Sequence, residues 1–218
     1  MSDNDRRSKI WITGPKNRRN LASYAHRHNY SLIRDDNITL NLALKEYTKV
    51  WAKVDVLIKH LNYSDWLLWI DSDLLIMNFE RRLETFIPRN DHIDIVITAD
   101  KLGINAGIFF WRNSPSGREI FEKWKLMATS HSHEQRQLAS LIKTDVNISR
   151  RVLILPLCAF NSYMIANYLT THYEYGDFAV HFAGAAWNLE THIFNKYGWD
   201  LFNHFADLAS TDGVTLKK

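Results

Sequence analysis

The segment Trp66–Met77 reads WLLWIDSDLLIM, an apolar stretch that carries two carboxylates, Asp71 and Asp73, in its middle. A carboxylate inside a protein loses its hydration and destabilises the fold unless it finds a partner. These two side chains therefore either reach solvent at the end of a strand or meet a cation. The other segments of the chain decide between the two alternatives.

Size and composition describe a folded globule. The chain has 218 residues, of which 46% are hydrophobic and 13% aromatic, so a substantial core is expected. The net charge of +3 is too small to predict a nucleic-acid partner. The single Cys158 excludes an intrachain disulfide and fits a reducing compartment.

Strands alternate with helices along the chain, which predicts the α/β class with a mostly parallel central sheet. The predicted strands cover residues 9–13, 30–34, 66–70, 94–98, 106–111, 152–155 and 178–182. The predicted helices cover residues 18–28, 48–61, 116–127 and 133–142. The run Trp66–Ile70 does not alternate between polar and apolar residues, a pattern typical of a strand buried on both faces.

The two carboxylates follow that strand directly. Ligands of parallel α/β sheets bind beyond the carboxyl ends of the strands. Side chains two apart on an extended segment point to the same side, so one ion can contact both Asp71 and Asp73. Carboxylate oxygens suit Mg²⁺ or Mn²⁺, and two of them leave coordination positions for substrate phosphates. A solvated turn is the alternative, which the apolar flanks disfavour.

The segment WLLWIDSDLLIMN resembles the metal-binding strand of GT-A fold glycosyltransferases, the Rossmann-like nucleotide-diphospho-sugar transferases. It is most similar to glycosyltransferase family 34, the galactosyl-, mannosyl- and xylosyltransferase group. Further segments match that family in the same order: Asn17-Arg18, Tyr24-Ala25, His28-Asn29-Tyr30, Trp51-Ala52-Lys53, Thr98-Ala99-Asp100, Ile104–Phe109, Arg112-Asn113-Ser114, Trp124, His133-Glu134-Gln135, Gly176-Asp177-Phe178 and His181–Gly184. More loosely, the chain resembles the amino-terminal glycosyltransferase domain of an algal-virus capsid-glycan enzyme.

The resemblance implies a single GT-A domain over residues 1–218, with a core over 10–187 and a loose tail over 210–218. It also implies transfer of a sugar from a nucleotide-diphosphate donor, by default a UDP-sugar, to a glycan or glycoprotein acceptor, with retention of anomeric configuration. By the same resemblance, Asp73 and His181 bind a metal ion, and Asp71 binds the metal or the ribose hydroxyls. Because an imidazole ligand suits Mn²⁺ better than Mg²⁺, Mn²⁺ is the expected cofactor. A hydrogen-bonded core histidine is the alternative for His181.

The donor site implied by the resemblance is larger than the metal ligands. Its other members are Thr13, Gly14, Arg19, Lys53, Ser72, Asn105, Ala106, Gly107 and Gly184. Lys53 and Arg19 are candidates to neutralise phosphate or to hold a base-binding carboxylate. The alternative for each is a solvated surface cation.

Three residues are candidates for the sugar itself. Asp100 would hold sugar hydroxyls, or alternatively belong to a strand-end turn. Glu134 and Gln135 would lie at the β-face of the donor sugar. A Glu there can serve as the nucleophile of a double displacement or stabilise positive charge in a same-face attack, whereas a Gln suits only the second role. The alternative for Glu134 is the first turn of a helix, where the helix dipole favours an acid.

The chain departs from the family at two points. After Gly184 it reads Ala185-Ala186-Trp187, without the Lys that many related retaining enzymes place there for the diphosphate. It also shows no signal peptide and no apolar run near the roughly 20 residues of a membrane span, whereas family members usually carry an anchor. We therefore expect a cytoplasmic protein, in the host cytoplasm if the source is viral, or a domain of a larger protein.

Other functions fit the sequence less well. A phosphatase of the haloacid dehalogenase type also places two such acids after an apolar strand, but near the start of its fold and followed by Thr or Val rather than Leu74. A carbohydrate-binding domain would use some of the 8 Trp and 9 Tyr, most of which fall at core positions. The segment His131–Glu134 lacks the spacing of a zinc protease.

Overall fold

A computed structural model describes residues 17–33, 49–129, 131–164, 173–183 and 202–209. These residues form two compact units. The first, the three-stranded unit, takes its described residues from 17–32, 71–83, 157–164, 173–183 and 202–209. The second, the four-stranded unit, takes them from 33, 49–70, 84–129 and 131–156. The single domain over residues 1–218 stays a prediction.

The secondary structure confirms the α/β class. The helices are α1 (residues 17–28), α2 (Ala52–His60), α3 (Pro115–Leu126), α4 (Glu134–Thr144), α5 (Val146–Ser149) and α6 (residues 202–209). The strands are β1 (Trp66–Ile70), β2 (Leu74–Ile76), β3 (Ile95–Asp100), β4 (Gly103–Arg112), β5 (Val152–Pro156), β6 (Ser162–Tyr163) and β7 (Ala179–His181). Short 3-10 turns cover Lys49–Trp51, Leu61–Tyr63, Leu83–Phe86 and Leu157–Ala159. The predicted strand 9–13 and the tail 210–218 lie outside the described residues.

The described sheets are mixed, which corrects the expectation of a mostly parallel sheet. In the four-stranded sheet, ordered β1-β4-β3-β5, β4 runs antiparallel to both neighbours and only β3 and β5 are parallel. The connection from β3 to β4 is a tight turn, in which the backbone N–H of Leu102 donates to Asp100 Oδ1 over 2.7 Å. Gly103 follows with a φ of 127°. So short a connection forces consecutive strands to be antiparallel.

Two predictions about strands are wrong for local reasons: the burial of β1, whose bounds are as predicted, and the strand over residues 30–34. The residues of β1 are half-buried along its length and not buried on both faces, because β1 is an edge strand in the described sheet. Residues 30–33 are not a strand. Asn29 takes a φ of 58° after α1, and the N–H of Tyr30 then donates back to Ala25 over 2.8 Å. This left-handed residue ends the helix, as is common at helix C-termini.

Stacked aromatic rings form the centre of the four-stranded unit. The ring of Trp111 on β4 stacks on Phe121 with centroids 3.8 Å apart, and on Trp124 at 5.5 Å. All three side chains are fully buried, and Trp51 lies against Trp124. Removing this much aromatic surface from water is a large stabilising contribution.

A polar cluster around the buried Asp94 fixes the start of α3. Ser114 caps this helix by accepting from the N–H of Gly117 over 2.9 Å. Its hydroxyl also donates to the fully buried Asp94, which accepts in addition from Ser116 and from Arg151 at 3.0 Å. Asp94 is thus a buried acid with its charge matched, as such groups require.

The three-stranded unit has a smaller core of its own. In its sheet, ordered β2-β7-β6, β7 is antiparallel to β2 and parallel to β6. Leu75 and Val180 pack with Phe182 and with Phe202 and Ala206 of α6. Among the described residues, no helix combines the length and the apolar character needed to cross a membrane.

Candidate active site

Strand β2, which follows Asp73, is held along both of its edges. On one edge Leu74 pairs with His181 and Ile76 with Ala179. On the other, the Asn20 side chain of α1 donates to the carbonyl of Ile76 over 2.8 Å and accepts from its N–H over 2.9 Å. Asn17, three residues earlier and so on the same helix face, donates to the carbonyl of Leu74. The two amides take the place of a neighbouring strand.

This arrangement brings Asp71, Asp73 and His181 together. One ligand-type atom from each lies within 4.8 Å of the others. Nε2 of His181 lies 3.3 Å from Oδ1 of Asp73. The imidazole is 4% exposed, whereas the Asp73 side chain is 30% exposed, so the carboxylate side of the cluster is open to solvent. The N–H of Phe182 donates to the carbonyl of Asp73 over 2.9 Å and fixes the two segments to each other.

The cluster has the chemistry of a divalent-metal site. It offers carboxylate oxygens and one imidazole nitrogen, a donor set that suits Mn²⁺ and, with more oxygen ligands, Mg²⁺. Three protein ligands leave coordination positions for water or phosphate. The structure therefore assembles the three residues that the resemblance implied, and their role as metal ligands stays a prediction.

A second group of predicted residues meets in the four-stranded unit. Nζ of Lys53 lies 3.0 Å from Oε1 of Glu134 and donates to the carbonyl of Ala106, also over 3.0 Å. The two charged side chains are 9% and 5% exposed. The Lys53 ammonium also lies 5.6 Å from the ring centroid of Trp69. Lys53 is therefore not the solvated surface cation of its alternative, whereas Glu134 lies in the first turn of α4, as its alternative predicted.

Gln135 belongs to the same group. Its Oε1 accepts from the N–H of Ala106 over 2.9 Å, so the first turn of α4 is tied to the middle of β4. One residue earlier on β4, Asn105 uses its own Oδ1 to accept from the N–H of Gly107 over 2.9 Å. Asp100 accepts from Leu102 in the turn described above, as its alternative predicted.

Arg19 and Ser72 are the remaining predicted residues that the structure describes. Arg19 is exposed on α1 and Ser72 is exposed between β1 and β2. Thr13, Gly14 and Gly184 lie outside the described residues. Their place in a nucleotide site stays a prediction.

Sequence reasoning missed Asn161. This residue is fully buried, and its Oδ1 lies 2.8 Å from Nδ1 of His181. The only sequence signal was a polar pair, Asn161-Ser162, inside the otherwise apolar run from Leu157 to Tyr163. Sequence reasoning also missed Asn20, because its contact with β2 had no local signal.

Comparison with known proteins agrees with the resemblance. The model of the galactosyl transferase GMA12/MNN10 family matches residues 2–94 and 86–192. The probable alpha-1,6-mannosyltransferase MNN10 of Saccharomyces cerevisiae is 28% identical over 182 residues, which are 66% of this chain and 46% of that protein. The alpha-1,2-galactosyltransferase of Schizosaccharomyces pombe is 26% identical over 208 residues, 78% of this chain and 54% of that protein. The chain thus spans about half the length of these relatives.

A solved structure supports the same fold. The chain is similar to a glycosyltransferase involved in the glycosylation of the major capsid of PBCV-1, with a TM-score of 0.52 and 17% identity. The likeness covers 79% of this chain and 87% of that one. At such low identity it concerns the fold alone, and it confirms the expected glycosyltransferase fold class.

Proposed function

Because this chain belongs to the galactosyl transferase GMA12/MNN10 family, we propose that it is a metal-dependent glycosyltransferase. In this proposal it moves a sugar from a UDP-sugar to a glycan or glycoprotein acceptor and retains the anomeric configuration. The observation that carries the proposal is the cluster of Asp71, Asp73 and His181, with ligand-type atoms within 4.8 Å of one another. Family membership alone would leave open whether this particular chain has kept a working site.

The donor set fits Mn²⁺, with Mg²⁺ as the second choice. Asp71 and Asp73 would hold the ion through carboxylate oxygens, and His181 through Nε2. When bound, the ion supplies positive charge for the diphosphate that leaves as the glycosidic bond breaks. The chain's own contribution is to hold two ligands on the segment before β2 and one on β7, so that little reorganisation is needed on binding.

The Lys53–Glu134 pair bears on the retaining mechanism. A nucleophilic carboxylate must reach the anomeric carbon, whereas Glu134 is 5% exposed and paired with Lys53 at 3.0 Å. The side chain of Gln135 is directed to the N–H of Ala106. These contacts support a same-face attack without an enzymic nucleophile, with Glu134 joining α4 to Lys53 of α2.

The test is calorimetric titration of UDP into the protein with Mn²⁺ and again with EDTA, followed by a panel of UDP-sugars scored for UDP release. Binding that requires Mn²⁺ and release from at least one sugar nucleotide are the expected results. Equal binding with EDTA would remove the role given to Asp71 and Asp73. Absence of UDP binding in both conditions, with the protein folded by circular dichroism, would overturn the proposal.

A pair of variants localises the effect. Asp73→Ala should abolish the Mn²⁺-dependent part of UDP binding and leave the fold intact. Asp65→Asn is the matched control, because this exposed acid lies outside the cluster and should bind UDP as the wild type does. Full Mn²⁺-dependent activity in Asp73→Ala would contradict the proposed site.

A further inference from the structure

Asn161 lies where it can determine the tautomer of the His181 imidazole. The residue follows the 3-10 turn Leu157–Ala159 and precedes β6, and its backbone N–H donates to the carbonyl of Leu157 over 2.7 Å. Its side chain is fully buried, with Oδ1 at 2.8 Å from Nδ1 of His181. Asn161 is therefore held at Nδ1 of the imidazole, whereas Asp73 lies at Nε2.

We propose that Asn161 is a positioning residue for the metal site. Its amide oxygen accepts a hydrogen bond from Nδ1–H of His181. Nε2 then carries no proton, and its electron pair is directed toward Asp73. This inference rests on the proposed function, since it concerns the same ligand cluster.

The chemistry of the two groups supports this assignment. A neutral imidazole has one N–H and one lone pair, and an amide oxygen can only accept. When Nδ1 donates to Asn161, Nε2 is the nitrogen without a proton, and only that nitrogen can bind a metal ion. A hydrogen bond to the second imidazole nitrogen orients metal-binding histidines in the same way in other proteins.

The surroundings hold the ring as well as the proton. Tyr163 on β6 meets the imidazole edge-on, with centroids 5.8 Å apart and planes at 69°. Residues Tyr163 and His181 are partners in the parallel ladder of β6 and β7, and the N–H of Met164 donates to the carbonyl of His181 over 3.1 Å. The ring therefore has little freedom to turn Nδ1 away from Asn161.

A reversed amide makes a distinct prediction. If the Asn161 side chain were turned, its N–H would donate to an unprotonated Nδ1, and Nε2 would carry the proton and donate to Asp73. The two arrangements place the proton on different nitrogens, so the imidazole tautomer separates them.

The experiment reads the tautomer in the metal-free protein by long-range ¹H–¹⁵N correlation at mildly alkaline pH. The protein has 10 histidines, so the His181 signals are assigned by their loss in His181→Gln. The expected result is the Nδ1–H form in the wild type and in Asn161→Asp, which keeps an accepting oxygen. The Nε2–H form in the wild type would overturn the proposal without any use of a variant.

Metal affinity supplies the second readout. Asn161→Leu, which has no acceptor, should shift the tautomer toward Nε2–H and weaken Mn²⁺ binding by roughly 10–100-fold, and Asn161→Asp should restore most of it. Asn78→Leu is the matched control: Asn78 lies in the same unit and bonds Glu80, Arg81 and Gly176 but not His181.

The outcomes separate the two proposals. If the wild type binds Mn²⁺ and Asn161→Leu binds it equally well with an unchanged tautomer, Asn161 has no positioning role and the proposed function stands. If the wild type does not bind Mn²⁺ at all, the proposed function fails, and with it the role given to Asn161.

Discussion

Glu134 in the four-stranded unit and the pair Asp71 and Asp73 in the three-stranded unit have opposite surroundings. In the four-stranded unit, Glu134 meets Lys53 at 3.0 Å, and both side chains are less than a tenth exposed, so the chain itself cancels the charge. In the three-stranded unit, Asp71 and Asp73 bring two carboxylates beside His181 and leave that side open to solvent. Removing one partner of a buried pair of opposite charges destabilises the fold strongly, because the other charge stays buried. A partly exposed cluster of like charges instead attracts a cation.

The largest effect should come from breaking the buried pair. Lys53→Met leaves the charge of Glu134 buried without its partner, so we expect the free energy of unfolding to fall by about 3–5 kcal/mol in denaturant titrations. Lys59→Met on the exposed face of the same helix is the control and should change it by no more than about 0.5 kcal/mol.

The double variant Lys53→Met, Glu134→Leu removes both charges and should recover much of that loss. If the losses in unfolding free energy of the two single variants simply added in the double variant, Lys53 and Glu134 would not compensate each other's charge. Loss of UDP release in a Glu134→Gln variant that folds normally would instead return Glu134 to the nucleophile role.

The next effect is on the open cluster. His181→Ala removes an expected ligand, so the dissociation constant for Mn²⁺, measured by calorimetry, should rise at least ~10-fold. The exposed His92 lies in the other unit, and His92→Ala should leave that constant unchanged. An unchanged constant in His181→Ala would return this residue to the hydrogen-bonded core role.

A third prediction asks whether stability and metal affinity vary independently. At Gly117, near the start of α3, a Cβ atom would lie 2.2 Å from the backbone oxygen of Arg112, so one of these backbones must shift in Gly117→Ala. We expect a loss of about 1–3 kcal/mol in unfolding free energy and no change in Mn²⁺ affinity. Glu122→Ala on the exposed side of α3 is the stability control. Weakened Mn²⁺ binding in Gly117→Ala would show that stability and metal affinity do not vary independently.

The smallest effect concerns Asp145, a partly exposed acid that serves structure alone. The hydrogen bond from the N–H of Ile148 in α5 lowers the pKa of Asp145 below its ordinary value of 3.8. A weaker contribution in the same direction comes from the hydrogen bond with Lys123. A depressed carboxyl pKa stabilises the fold above that ordinary value, and the contribution is lost as the pH falls through the lower, folded-state pKa. The difference in thermal midpoint between wild type and Asp145→Ala should therefore shrink as the pH falls below 3.8.

Asp145→Asn separates the two parts of this effect, because the amide keeps an oxygen for the N–H of Ile148 but has no charge. Its midpoint should lie between those of the other two proteins at neutral pH. A difference from wild type that stays constant across the acid range would show that the charge of Asp145 does not matter.

Local sequence was sufficient for the parts of the fold that depend on local patterning. The strand Trp66–Ile70 has the predicted bounds, and the helices over 17–28 and 134–144 begin within one residue of their predicted starts. Strand direction was harder, because it depends on the connection. The short turn at Lys101-Leu102, before Gly103, was the available sign of an antiparallel pair.

Some residues of the candidate site could be predicted from the sequence, and others could not. The resemblance implied that Asp71, Asp73 and His181 belong together, and an ordered set of motifs carries such long-range information. It carried none about Asn161, since an asparagine that bonds a histidine 20 positions away looks like any loop asparagine in a linear sequence. The burial of Lys53 and Glu134 was equally invisible, because it follows from tertiary contacts with β4.

The pairing of β2 with β7 has a consequence for biosynthesis. Strands β1, β3, β4 and β5 lie between Trp66 and Pro156, so the ribosome completes that sheet before it makes β6 and β7. At a translation rate of roughly 5–20 residues per second, His181 is synthesised several seconds after Asp71 and Asp73. During that interval the nascent chain presents two carboxylates without the imidazole. If the cluster binds an ion as we propose, full affinity for that ion arises only after β7 has joined β2.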